Sequence, residues 1–86
     1  MENLNLTQLE EQVLTSLIDS LYAEPGFSDV DAKDIANSTK IDIKSVRGGL
    51  GSLVKKGIVS IDGNSSGYQI IYLNRAYYHL HPQWKN

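Results

Sequence analysis

The sequence predicts a small α+β domain in which three helices are followed by a two-stranded β-hairpin. Apolar residues recur at helical spacing in the first two thirds of the chain, and after Gly57 they alternate as in strands. Glycine and proline clusters separate these segments. With 86 residues the chain is too short for two cores, so we expect residues 1–86 to form a single domain.

The first predicted helix covers residues 6–21, where the apolar spacing is typical of one broad buried face. Thr7 and Glu10 have the spacing of a capping box, and Asn5 is an alternative, earlier start. The helix must end before Pro25 and Gly26, which begin a loop.

Two further helices share one start pattern, in which an aspartate cap lies between two hydrophobic residues that can pack together. The pattern occurs first at Val30, Asp31 and Ile35 and again at Ile41, Asp42 and Val46. It predicts helices over residues 32–38 and 43–56, joined by a turn at 39–42 of the length found in a helix-turn-helix. Gly57 suits the left-handed position after the last turn.

Two short strands, "IVSID" (58–62) and "YQIIYL" (68–73), are rich in β-branched and aromatic residues, and "GNSSG" (63–67) can join them. The tail, residues 74–86, is too apolar for a free end. It should either fold back over the first helix or pack on a second copy, giving a homodimer. Its apolar residues are Tyr77, Tyr78, Leu80 and Trp84.

The apolar positions of these elements predict the core. On the third helix the buried stripe should contain Val46, Leu50, Leu53 and Val54. Phe27 is the one candidate for burial in the loop after the first helix. The other expected core residues are Leu9, Val13, Leu17, Ile35, Val59 and Ile61.

The segment "DAKDIANSTKIDIKSVRGGLGSLVKKGIVSID", residues 31–62, resembles the second helix, third helix and first wing strand of the winged helix-turn-helix superfamily. The similarity is strongest at "LVKKGIV" and extends over residues 6–73. The chain looks most like small bacterial or phage-encoded transcription regulators. The resemblance implies a DNA-binding protein that places helix 43–56 in the major groove of double-stranded DNA.

Charge is distributed unevenly along the chain. Residues 1–39 hold eight acidic residues and one basic residue, whereas residues 40–86 hold two acidic and seven basic ones. This asymmetry favours an anionic partner for the second half, or docking of one half on another copy.

The resemblance places the DNA-binding residues on the outer side of the third helix and in the turn before it. Arg47 could contact guanine or a phosphate, and the basic and hydroxyl residues near the helix start could contact phosphates. Glycine would let backbone approach DNA closely, although a helix that is simply bendable would also tolerate glycine. The expected DNA-binding residues are Lys40, Lys44, Ser45, Arg47, Gly48, Gly51 and Ser52.

Other features favour a winged-helix protein-interaction module without direct DNA binding. The predicted wing carries Asp62 and no basic residue, and the pI of about 5.5 is low for a dedicated DNA binder. The acidic first helix is then the expected contact with a protein partner.

Catalysis, cofactors and metals find little support, so we expect a non-enzyme. His79 and His81 form the only histidine pair, with no nearby ligand to complete a metal site, and are expected at the surface. Adjacent charges at 10–11 and 55–56 are expected to be solvated. The apolar runs are too short to span a membrane, and the N-terminus lacks a signal-peptide pattern, so a cytoplasmic protein is expected.

Overall fold

The computed structural model describes residues 5–21, 30–63, 69–82 and 84. These residues form α1 (Gln8–Ser20), α2 (Ala32–Thr39), α3 (Ile43–Lys55), β1 (Val59–Gly63), β2 (Gln69–Leu73) and a 3-10 helix (Arg75–Leu80). The predicted α+β domain of three helices and a two-stranded antiparallel sheet is therefore confirmed. Phe27 and the predicted hairpin turn after Gly63 lie outside the described residues.

The helix starts are the best-predicted features of the chain. The Thr7 hydroxyl accepts the Glu10 N–H at 3.1 Å, while the Thr7 N–H donates to Glu10 Oε1 at 2.8 Å. This capping box starts α1, so the alternative start at Asn5 is wrong. Asp31 and Asp34 form a second box at α2, in which the Asp31 carboxylate accepts the Asp34 N–H at 3.1 Å and the Asp34 carboxylate accepts the Asp31 N–H at 2.9 Å.

The end of α3 is a Schellman motif around Gly57, which has φ +76°. The Gly57 N–H donates to the Val54 carbonyl at 3.0 Å, and the Ile58 N–H donates to the Leu53 carbonyl at 3.1 Å. These two bonds satisfy carbonyls that the helix end leaves open, and they turn the chain directly into β1. The predicted role of Gly57 is confirmed.

Strands β1 and β2 pair antiparallel, with Val59 opposite Leu73 and Ile61 opposite Ile71. The sheet is joined to the helices by its backbone, since the Ile71 N–H donates to the Val30 carbonyl at 2.9 Å. Val30 directly precedes the Asp31 cap, so this bond fixes the start of α2 against the hairpin.

One continuous core joins the helices, the sheet and the tail. Two expected core residues, Val54 and Ile61, are instead 39 % and 37 % exposed. A third, Leu9, is only partly buried and packs against the core. Val54 lies at the edge of α3 because Gly49, rather than Val54, completes the stripe that packs on α1. Ile61 lies toward the outer end of the hairpin, where burial along β1 falls away. The buried core residues are Val13, Leu14, Leu17, Ile18, Leu21, Val30, Ile35, Val46, Leu50, Leu53, Ile58, Val59, Ile71, Leu73 and Trp84.

Glu10 is also not the solvated charge that the sequence suggested. It is only 4 % exposed, and Lys56 Nζ donates to its Oε1 at 2.8 Å and to the Asn5 carbonyl at 3.1 Å. The hydrogen bond from Lys56, followed by the one from the Thr7 N–H, holds the pKa of Glu10 below its ordinary value. Lys56 is therefore a structural residue that ties the end of α3 to the start of α1.

The described residues of the tail, 74–82 and 84, fold back on their own chain, as one of the two alternatives predicted. Trp84 is 4 % exposed and meets the ring of Tyr78 edge-on, with the two ring centroids 4.8 Å apart. His81 is 5 % exposed and stacks on Trp84, with the two ring centroids 4.4 Å apart. Its Nε2 lies 3.4 Å from the Leu21 carbonyl oxygen. The expectation that both histidines lie at the surface is thus wrong for His81, because it packs between Trp84 and the end of α1.

Candidate nucleic-acid interface

The outer side of α3 forms an open surface that we call the α3 face. Along it, Lys44, Arg47, Gly48, Gly51 and Lys55 are exposed, whereas Ser45 and Ser52 are half-buried. Lys40 is exposed in the turn before α3 and has left-handed backbone, with φ +63°. All seven predicted residues are therefore exposed or half-buried in α3 and the turn before it.

The three glycines of α3 have different surroundings. A Cβ added at Gly49 would lie 3.2 Å from Val13 Cγ2, closer than carbon atoms normally pack, and 3.4 Å from Leu9 Cγ. A Cβ added at Gly48 or Gly51 would meet no atom of the described residues within 4 Å. Close packing of α1 on α3 explains Gly49, but nothing in the described fold requires Gly48 or Gly51.

The basic side chains of the α3 face form no ion pair with another described residue. In the described part of the chain the only ion pair joins Lys56 to Glu10, on the other side of α3. Arg47 lies midway along the exposed side, between Lys44 one turn before and Gly51 one turn after it. Its guanidinium is thus available to an external acceptor.

Asp42 makes the turn end of this surface less positive. Its carboxylate accepts the Ser45 hydroxyl at 2.8 Å and the Ser45 N–H at 3.1 Å. These bonds, the hydroxyl first, hold the pKa of Asp42 below its ordinary value, so the side chain stays ionised. Both the N–H and the hydroxyl of Ser45 donate to Asp42. Lys40 and Lys44 are therefore the side chains near this cap that could donate to a phosphate.

The exposed side of α1, which the sequence suggested as a contact with a protein partner, borders two grooves that sequence reasoning missed. Glu11, Thr15 and Asp19 follow one another at every fourth position and line two grooves. One groove lies toward the end of α2 at Thr39, and the other toward the tail at Leu80. The spacing of these residues was visible in the sequence, but the grooves depend on how α2 and the tail pack.

Other kinds of site are absent from what the structure describes. No group of three or more His, Asp or Glu side chains that could hold a metal ion occurs among those residues. None of the helices described there is long and apolar enough to cross a membrane. Comparison of the chain with protein-family models, curated proteins and solved structures gives no match.

Proposed function

We propose that this chain is a winged-helix protein that binds double-stranded DNA through the α3 face, as a small transcription regulator of the bacterial or phage type. The order of helix, short helix, turn, helix and hairpin is compatible with that fold. The observation that carries the proposal is the pair of exposed glycines beside Arg47. Each costs a helix interior about 1 kcal/mol relative to alanine, and the described fold gives no reason for either.

In the proposed complex α3 lies in the major groove and Arg47 reads a base. A guanidinium can donate two parallel hydrogen bonds to guanine O6 and N7, which is the commonest specific contact of arginine with DNA. Gly48 and Gly51 leave no side chain between the helix backbone and the groove wall. The surface beside Arg47 can therefore approach the duplex more closely than an ordinary helix face.

Lys40 and Lys44 border the turn and supply phosphate contacts. Such contacts position a protein on the duplex but carry no sequence information. Each phosphate neutralised contributes about −0.9 to the slope of log affinity against log salt concentration. With Arg47 as the third contact, a monomer should show a shallow slope of about −2 to −4.

The proposal is tested by fluorescence anisotropy with labelled duplex at several salt concentrations. Arg47→Ala should weaken binding to a specific site by about 1–3 kcal/mol. Lys44→Ala should weaken binding to all sequences alike and flatten the salt slope by about one unit. Arg75→Ala is the matched control, because Arg75 is an exposed base on the 3-10 helix rather than on α3. Equal losses in all three variants would show that only overall charge matters and would reject the α3 face.

A protein-interaction module is the second candidate, and Asp42 is the observation that favours it. An ionised carboxylate between Lys40 and Lys44 interrupts the basic surface at the point where phosphates would lie. A protein partner with mixed charges would suit this arrangement better than a phosphate backbone. Absence of any salt-sensitive binding to duplex at low ionic strength would favour this candidate over DNA binding.

A further inference from the structure

Glu11, Thr15 and Asp19 form a ridge on α1 that projects between its two grooves; we call it the α1 ridge. All three residues are exposed. Their carboxylates are eight residues apart, or about 12 Å along the helix. A threonine with a short side chain lies midway between the two negative charges.

The exposed side of α3 carries a row with the same spacing and the opposite charge. Arg47, Gly51 and Lys55 also follow one another at every fourth position, and all three are exposed. Their charges are likewise about 12 Å apart. At the middle position a Cβ would meet nothing within 4 Å among the described residues, so Gly51 leaves a gap where α1 has Thr15.

We propose that the α1 ridge of one copy docks on the α3 row of a second copy. Rows of every fourth residue are the ridges that interdigitate when two helices cross at about −50°, the commonest packing in globular proteins. In that arrangement Thr15 enters the gap at Gly51, and each terminal carboxylate of the ridge meets one base of the row. The opposite charges, the equal spacing and the gap at Gly51 thus all favour the α1 ridge of a second copy as the partner of the α3 row.

The contact is head-to-tail, because the ridge and the row lie on different sides of one copy. Helices α1 and α3 pack together through their buried sides, as the approach of Gly49 to Val13 shows, so the two exposed rows face away from that contact. A copy whose α1 ridge is bound to a neighbour can therefore still bind another copy through its own α3 row. Such a contact leads to rings or open chains of copies rather than to a closed pair.

Self-association does not rest on the proposed function, but it would regulate that function. The row contains Arg47 and Gly51, which are also central to the α3 face. A copy whose row is covered by another copy's ridge cannot place that row in a DNA groove. Duplex and self-association should therefore compete, and the associated form would be a reserve that does not bind DNA.

The test is sedimentation velocity of the full chain without DNA, over a range of concentrations. At about 0.01 M salt, where charges interact over about 30 Å, the weight-average mass should rise with concentration and pass that of a dimer. At about 1 M salt, where the range is about 3 Å, it should return to that of the monomer. A monomer at every concentration at low salt would overturn the proposal, whether or not the chain binds DNA.

Charge exchange identifies the surfaces. The double variants Glu11→Lys/Asp19→Lys and Arg47→Glu/Lys55→Glu should each lose self-association by about tenfold or more. An equimolar mixture of the two should regain it, because each then carries the partner surface of the other. The control Asp62→Lys changes an exposed charge on the hairpin and should associate like the wild type. Association that survives both double variants, or a mixture that stays monomeric, would reject the pairing.

Gly51→Leu tests the fit without changing any charge. Leucine at this exposed position has free space in the single chain and should preserve the fold, as circular dichroism can verify. It fills the gap that Thr15 would enter, so self-association should fall by about tenfold at unchanged net charge. Unchanged association of this variant would show that the two rows do not pack together.

Discussion

Alanine at Gly49 and at Gly51 should have opposite effects on the free energy of unfolding, although the two residues are only two positions apart. Both substitutions gain up to about 1 kcal/mol of helix propensity. At Gly51 nothing opposes that gain, because the added methyl group meets no described atom within 4 Å. The Gly51→Ala variant should therefore be more stable than the wild type by up to about 1 kcal/mol.

At Gly49 the same methyl group would lie 3.2 Å from Val13 Cγ2 and 3.4 Å from Leu9 Cγ. Leu9 is only partly buried and can shift, whereas Val13 is fully buried and cannot move without disturbing the core. Overpacking of this kind costs about 1–3 kcal/mol. After a gain in propensity of up to about 1 kcal/mol, Gly49→Ala should be destabilised by about 0–3 kcal/mol.

Urea and thermal unfolding followed by circular dichroism measure the difference directly. The two variants have the same composition, and Gly51→Ala should melt higher by roughly 4–8 °C for each kcal/mol between them. If Gly49→Ala were as stable as Gly51→Ala, the close approach of α1 to α3 would be wrong. If Gly51→Ala gained stability and bound duplex like the wild type, the functional explanation of that glycine would fail.

Three further predictions concern the core, the internal ion pair and the tail. Leu50→Ala should cost about 2–5 kcal/mol in urea unfolding, because Leu50 is only 2 % exposed, and an unchanged midpoint would contradict the buried stripe of α3. Since Glu10 has a folded-state pKa below 4.5, the stability it contributes with Lys56 is present above pH 4.5 and is lost as the pH falls through the folded-state value. The melting temperature of Glu10→Gln should thus lie below that of the wild type at pH 7 and converge with it in acid; parallel pH profiles would contradict this assignment. Trp84→Ala should cost about 3–5 kcal/mol by the same unfolding assay, and a loss near zero would show that the tail is not part of the core.

The parts of the fold that could be predicted from the sequence are those decided by neighbouring residues. Caps at Thr7, Asp31 and Asp42 involve partners three residues away, so their patterns are visible in the printed chain. Gly57 was likewise predictable, because a left-handed residue at a helix end favours glycine.

The errors concern contacts between residues that are distant in sequence. Glu10 and Lys56 are 46 positions apart, and each looks like a solvated charge on its own helix. The exposure of Val54 follows from the rotation of α3 that places Gly49 against α1, which periodicity alone did not fix. His81 is buried because the tail turns back, and the sequence left that choice open.

The positions of the candidate DNA-binding residues followed from helix periodicity, because the buried stripe of α3 leaves one side of the helix exposed. The sequence could not predict which hydrogen-bond partner each polar group on that side has. Ser45 was expected to contact phosphate, yet both of its donors are occupied by Asp42. Such pairings depend on rotamers and cap geometry rather than on residue type.

Nitrogen–proton correlation spectra at low salt, recorded with and without duplex DNA, would locate the DNA-binding surface by the backbone amides that the duplex perturbs. DNA binding through the α3 face predicts that the largest shifts fall on Lys44, Arg47, Gly48 and Gly51, while Gly49, against α1, shifts less. Perturbations that avoid α3 and cluster on another surface, or spectra that duplex leaves unchanged, would contradict the claim.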